Sequence, residues 1–271
     1  MNIRKIKDLL IKIISSIVTI IMAIPLLWII LDVLIKGISI ISLEFLTSLP
    51  APIGEGGGIA NAIIGTLIIN TMACIIGIPL GIATGVYLSE YSDNSKFSIL
   101  LRNIIYTLSG VPSIILGIFA FSIIVIRIGH YTAIAAAFAL SIIIIPIIAK
   151  ATEEGMKAVP IEIREGAIAL GLPKWIITIK IILGVAKNSV ITSSLLAFAR
   201  ISGETAPLLF TALFSNYWPR SLNEPMASLQ VLIYNYAMSG FEAWVTKAWG
   251  ASLLLLLLVL SINILIRKYS R

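Results

Sequence analysis

Two ionisable residues stand inside an apolar stretch late in this chain, Arg200 and, one helical turn further on, Glu204. Inserting an arginine at the middle of a membrane costs about 2.5–3.5 kcal/mol on translocon scales, so something there must compensate for it or use it. At 100° per residue, Ser189, Ser193, Arg200, Glu204, Pro207 and Thr211 fall within about 60° of one another on a helix. They form a polar stripe interrupted at Leu196 and Ala197. Arginine preceding glutamate is the less favourable order for a pair at this spacing. Two chemistries fit. Either the pair neutralises itself and holds helices together, or Arg200 attracts an oxyanion and Glu204 limits how tightly it is held. Guanidinium geometry suits the second task. The pathway reading rests on Arg200, Glu204, Ser193 and Thr211.

A second concentration of chemistry lies at residues 150 to 187. This segment carries Lys150, Glu153, Glu154, Lys157, Glu162, Arg164, Glu165, Lys174, Lys180 and Lys187 between two oily stretches. Its apolar residues, among them Ile161, Ala167, Ile168, Leu172, Trp175, Ile176 and Ile179, are too frequent for a disordered linker. The pattern predicts short helices on the membrane surface that face another protein. Within it stand Glu165-Gly166-Ala167, then Gly171, then Ile181, Leu183 and Gly184.

The elements that position these residues follow from composition. A hydrophobic fraction of 59%, only 12% charged residues and a mean hydropathy of +1.05 exclude a soluble globular protein. Strand-like alternation is absent, so the spans are predicted to be α-helices, which satisfy their own backbone in lipid. Six are predicted, at about 11–35, 60–88, 104–126, 132–149, 188–214 and 248–266. The first is read as a true span rather than a cleaved signal, because its apolar run is too long and no small-x-small site follows. Arg200, thirteen residues beyond Lys187, then sits about 20 Å along its helix, past the bilayer centre.

Basic residues give the orientation. With the amino terminus inside, fifteen of the twenty lie on the cytoplasmic side: Arg4, Lys5, Lys7, Lys12, Lys96, Arg102, six in the 150–187 loop, and Arg267, Lys268 and Arg271. Four lie outside, namely Lys36, Arg127, Arg220 and Lys247. This predicts a multi-pass protein of the cell membrane with both termini cytoplasmic. Topology thus accounts for the net charge of +7, and no nucleic-acid partner is needed. Cys74 is a solitary packing residue and His130 has no metal-ligand pattern around it, so neither a metal nor a cofactor is expected.

Outside, residues 36 to 59 with Pro50-Ala51-Pro52 and Gly54-Glu55-Gly56-Gly57-Gly58 read as a flexible connector. Residues 215 to 247 carry Tyr217, Trp218, Tyr234, Tyr236, Phe241 and Trp244, read chiefly as interfacial anchors. The stretch from Ala227 to Tyr234 has an alternative reading as a lid or half-buried helix. Gly77, Gly81 and Gly85 leave one helix face bare for close packing, and Pro79, Pro112, Pro146 and Pro207 permit kinks.

The loop resembles the EAA motif of the membrane subunits of ATP-binding-cassette importers, E-A-A-x3-G-x9-I-x-L-P. Gly166 and Gly184 depart from an alanine and the final proline. A finer resemblance, to phosphate permease subunits of the PstA type, rests on Arg200 with Gly203-Glu204-Thr205-Ala206-Pro207-Leu208-Leu209. It extends to Gly65-Thr66-Leu67, Tyr87-Leu88-Ser89-Glu90-Tyr91 and the run from Val111 to Ile118. The resemblance implies an all-α, six-span, type I (MetI-like) permease fold. In it, residues 59–267 would form the transport core behind an amino-terminal segment, residues 1–58. It also implies coupling to an ATPase through Glu165, Gly166, Ala167 and Gly171. Partners would be a cytoplasmic PstB-like ATPase dimer, a PstC-like permease subunit and an extracellular PstS-like phosphate-binding protein, with phosphate as cargo and lipid as solvent. The chain has no G-x-x-x-x-G-K-[S/T] sequence, so hydrolysis is expected in the partner and this chain is not read as an enzyme. The alternatives are an importer for sulfate, molybdate or phosphonate and, more remotely, a secondary transporter or membrane enzyme. The remote pair lacks an internal repeat and a richer set of buried ionisable groups.

Overall fold

Apolar helices that cannot expose their backbone to lipid must either run unbroken or bury their breaks. Both solutions occur in the computed structural model, which describes residues 3–92 and 95–269; Arg271, counted in the basic tail, lies outside them. In chain order the helices are α1 (Ile3–Ile38), α2 (Leu43–Thr47), α3 (Ala60–Tyr91), α4 (Lys96–Gly110), α5 (Ser113–Ile128) and α6 (Ala133–Lys157). There follow α7 (Ile161–Ala169), α8 (Lys174–Val185), α9 (Lys187–Ile201), α10 (Ala206–Thr211), α11 (Leu229–Ala237) and α12 (Glu242–Tyr269). Among the described residues, four helices are long and apolar enough to cross a membrane, and up to six spans result if the bent pairs α4–α5 (107°) and α8–α9 (66°) each count as one.

α6 is the hub, packed against α3, α4, α5, α9 and α10. It packs closely against α3, because α3 presents Gly77, Gly81 and Gly85. A Cβ on Gly77 would lie 2.9 Å from Ile144 Cβ, and one on Gly81 would lie 2.8 Å from Ile148 Cβ. At Gly85 it would meet the Ala149 carbonyl at 2.5 Å and Thr152 Cβ at 2.6 Å. Ile144 and Ile148 of α6, with Ile69, Ala73, Ala197, Ile201 and Leu208, belong to the main apolar core. α1 packs along α12 and leaves most of its own surface exposed.

Two predicted spans are not continuous helices. The third breaks at Val111-Pro112, where α4 and α5 meet at 107°. The Pro112 ring excludes helical geometry at the residue before it, and Val111 is extended (φ −71°, ψ 129°). The fifth stops at Ile201 and restarts at Ala206, with Pro207 in the first turn of α10, where its missing N–H costs nothing. Polar side chains close this second break. Gln230 Nε2 donates to the Ser202 carbonyl (2.5 Å), and Asn70 Nδ2 donates to Ser202 Oγ (3.0 Å). That hydroxyl in turn donates to the Phe198 carbonyl.

Other boundaries also shift. α6 continues two turns past Ala149, so Lys150, Glu153, Glu154 and Lys157 ride on it rather than on a loop. The outer connector is folded. Ser42 caps α2 through the Phe45 amide, Glu44 Oε1 accepts from the Gly57 amide, and Lys247 donates to the Gly56 carbonyl. Positive φ at Gly56 and Gly57 lets the chain turn tightly enough for these bonds. The Ala227–Tyr234 stretch is a half-buried helix, α11, capped by Ser228 and packed on α3 and α12.

Two expectations follow. Gly81→Val forces its branched side chain into Ile148, and overpacking of this kind costs about 1–3 kcal/mol. Thermal unfolding in detergent should show a clear drop, while Gly184→Ala, which meets nothing within 4 Å, should unfold with the wild type. A wild-type melting point for Gly81→Val would refute the close seam. Gln230→Leu leaves the Ser202 carbonyl unpaired in an apolar interior, a loss of about 1–3 kcal/mol, and the same measurement reads it.

Candidate functional site

The two helix breaks and the hub enclose the site. A cavity of about 830 Å³ lies between the α4–α5 break, α6, the α9–α10 break and α12. Pro146 and Ile147 of α6 form its apolar wall, while Ser109, Ser113, Arg200, Glu204 and Asn263 bring polar groups to it. Its size is within the range of small-ligand sites, and its polar groups are few and convergent.

Arg200 and Glu204 are brought together, but not by a helix. After Ile201 the chain turns through Gly203, whose amide donates to the Arg200 carbonyl, and the Glu204 amide donates to the Ile201 carbonyl. This turn puts Glu204 Oε1 3.2 Å from Arg200 Nη2. The arginine side chain is 58% exposed towards the cavity, whereas the glutamate is 15% exposed. A guanidinium carries five N–H donors, and only one nitrogen faces the carboxylate, so the others are available to an anion. The helical-wheel stripe does not extend past Ile201, because the helix ends there. Ser193 is buried with its hydroxyl donating to the Val190 carbonyl, and Thr211 is buried with its hydroxyl donating to the Pro207 carbonyl. Neither lines the cavity.

Sequence reasoning missed Ser109, Ser113 and Asn263. Asn263 carried a signal, as a lone amide in the apolar last span, while Ser113 follows the Pro112 that breaks the third. Ser109 carried none, since only the 107° bend turns it inward. Among the described residues, no group of His, Cys, Asp and Glu side chains comes together that could hold a metal.

Beyond the end of α6 at Lys157, the rest of the 150–187 segment folds as two short helices, α7 and α8, joined by a turn at Gly171. Its φ of +70° is a conformation that a side chain would strain. On α7, Glu165 and Gly166 are exposed, while Ala167 packs among Val86, Met156, Ile177 and Ile182. Gly166 and Gly184 both lie within helical segments, and a Cβ at either would meet nothing within 4 Å. Ile161, Ile168, Leu170 and Trp175 are exposed beside Glu165, an apolar patch of the kind that marks a protein contact.

Comparison with known proteins bears on both sites. The family described as "Binding-protein-dependent transport system inner membrane component" matches residues 77–271. The "Phosphate transport system permease protein PstA" of Pasteurella multocida (strain Pm70) is 41% identical over 267 residues, covering 98% of this chain and 95% of that protein. The protein of the same name from Haemophilus influenzae is 43% identical over 243 residues, covering 89% and 86%. The "Probable phosphate transport system permease protein PstA" of Methanocaldococcus jannaschii is 36% identical over 268 residues, covering 98% and 94%. Among solved structures, a chain of the inward-facing MetNI methionine ABC transporter superposes with a TM-score of 0.62 at 21% identity, covering 79% of this chain and 95% of that one. A chain of the bacterial alginate ABC transporter, in complex with an alginate pentasaccharide-bound periplasmic protein, gives 0.66 at 15% identity, covering 98% and 95%. At those identities the likeness is one of fold, the all-helical fold of ABC importer permeases. The chain is a membrane permease component and belongs to the PstA family of phosphate transport system permease proteins.

Proposed function

We propose that this chain is the membrane-spanning permease subunit of an ATP-driven phosphate importer, with both termini cytoplasmic and residues 59–267 as the transport core. The observation that carries the reading is Arg200, a half-exposed guanidinium held by one carboxylate at a helix break beside a large intramembrane cavity. The printed function of the relatives supports phosphate as the cargo.

In this mechanism a phosphate reaching the cavity competes with Glu204 for the guanidinium. Two of its oxygens match the planar fork of donors. Glu204 remains beside the occupied site and repels the anion, so binding stays weak enough for release, as conduction requires. Ser113 and Asn263 offer neutral polar contacts on the opposite walls. Ser193 and Thr211 precede and follow the site along the chain, and anion contact falls to Arg200, with Glu204 as the competing carboxylate.

Coupling is assigned to Glu165, Gly166, Ala167 and Gly171. α7 would seat on a cytoplasmic PstB-like ATPase dimer, with the exposed apolar residues around Glu165 buried in the contact. A PstC-like subunit would complete the pathway, and an extracellular PstS-like protein would deliver phosphate to the outer face. Closure of the ATPase would then move the bundle between outward- and inward-open states.

The test is radiolabelled phosphate uptake in a strain without its own phosphate permease, carrying this chain with its three partners. Wild type should restore uptake. Arg200→Ala should still assemble by pull-down and lose uptake at least about tenfold, since truncating a close charge partner costs about 2–5 kcal/mol. Glu165→Lys should instead lose the ATPase from the complex. A fully assembled wild type that takes up no phosphate would show that the cargo is a different oxyanion.

A further inference from the structure

The coupling helix is tied to the bundle by more than apolar contact. Arg164 of α7 points into the bundle, and its Nη1 lies 2.7 Å from both carboxylate oxygens of Glu90. Its Nη2 donates to the Met156 carbonyl at 2.7 Å. Ser89 Oγ donates to Glu90 Oε1 at 2.9 Å, so the carboxylate is held from two sides. The side chains are 8% exposed at Glu90 and 20% at Arg164. Glu90 sits in a π-helical turn, Tyr87–Tyr91, that closes α3, and Met156 belongs to the last turn of α6. One guanidinium therefore joins the ends of three helices.

The two long helices it joins are those already locked by the Gly77–Gly81–Gly85 seam. The remaining contact of α7 is apolar, through Ala167. Apolar packing is non-directional and permits sliding, whereas an arginine engaged through two nitrogens fixes orientation. A separate pair ties α4 to α6: Glu153 Oε1 lies 2.8 Å from Arg102 and 2.5 Å from Lys157. That second network includes no residue of α7. Among the described residues, only Arg164 connects this helix to the seam by charge.

We infer that Glu90 and Arg164 are positioning residues for transport, forming the joint through which movement of the coupling helix is passed to α3 and α6. The inference rests on the proposed importer function and concerns residues outside the anion path. A push on α7 is carried along the Arg164 fork to both helix ends at once, so α3 and α6 move as one body with it. Without the fork, α7 would follow the ATPase while sliding over Val86 and Met156.

The test uses the whole complex in proteoliposomes, with phosphate uptake and ATP hydrolysis measured in the same vesicles and assembly checked by pull-down. Arg164→Gln and Glu90→Gln should assemble and hydrolyse ATP. Phosphate moved per ATP should fall at least about tenfold, because removing one partner strands a buried charge or acceptor at the joint. Arg164→Lys keeps the charge but cannot reach both partners as a fork, and should fall between wild type and Arg164→Gln. Glu90→Arg with Arg164→Glu together should transport better per ATP than either reversal alone. A wild-type ratio in the single variants would overturn the inference. So would loss of the ATPase from every variant with no recovery in the reversed pair, since the residues would then only build the fold. Wild-type vesicles judge the importer reading separately. If they hydrolyse ATP but move no phosphate, that reading fails whatever the variants do.

Discussion

The contact between α3 and α6 is the constraint on which the rest of this bundle depends. Three glycines at one-turn intervals remove every side chain from one face of α3, and Ile144, Ile148 and Thr152 occupy the space. Lipid offers no hydrophobic drive to bring helices together, so close van der Waals packing must supply it. Once α6 is fixed, its other faces become the surface on which α4, α5, α9 and α10 assemble. The core residues of α6 from Ala133 to Ile148 are almost all buried, as expected of a helix surrounded by others.

A hub of this rigidity allows its neighbours to be irregular. Both broken helices lean on α6, and both breaks open towards the same cavity. A broken helix leaves carbonyls without partners, and in lipid each must be satisfied from within the protein. Asn70 comes from the seam helix and Gln230 from the outer helix α11, so the break at Ser202 is closed from two directions. The reward for this irregularity is position. A continuous fifth helix would keep Glu204 on the same rod as Arg200, whereas the turn frees the arginine to face open space while its carboxylate stays sheltered.

The same division between rigid seam and adjustable attachments recurs at the membrane surface. The ends of α3 and α6 meet α7 through a buried ion pair, while α7 keeps its other face, with Glu165, Ile168 and Leu170, free. A buried pair contributes orientation more than stability, because desolvation offsets most of its attraction. Orientation is what the coupling role proposed for α7 needs.

Sequence alone determined the class of molecule and the approximate spans. Hydropathy fixes which segments enter lipid because the cost of burying polar side chains there is local to each segment. The glycine spacing announced the α3 seam for the same reason, since a bare helix face is a property of one helix. Arg200 and Glu204 were legible as an intramembrane pair, and the 150–187 segment as folded surface helices. Tertiary structure decided what depends on two segments meeting. Pro112 showed that a kink was allowed, but the 107° angle is set by what α5 packs against. Ser109 and Asn263 lie more than one hundred and fifty positions apart and share a cavity only because α4 packs on α6 and α12 packs on α9, which itself lies against α6. Glu90 and Arg164, separated by 74 positions, are bound by a contact that no local pattern encodes. The glycine-rich outer connector, read as flexible, is ordered because Glu44 and Lys247 supply partners to its backbone. Local free energies of transfer and of backbone conformation are written in the order of residues, whereas pairings across the bundle arise only when the helices have packed.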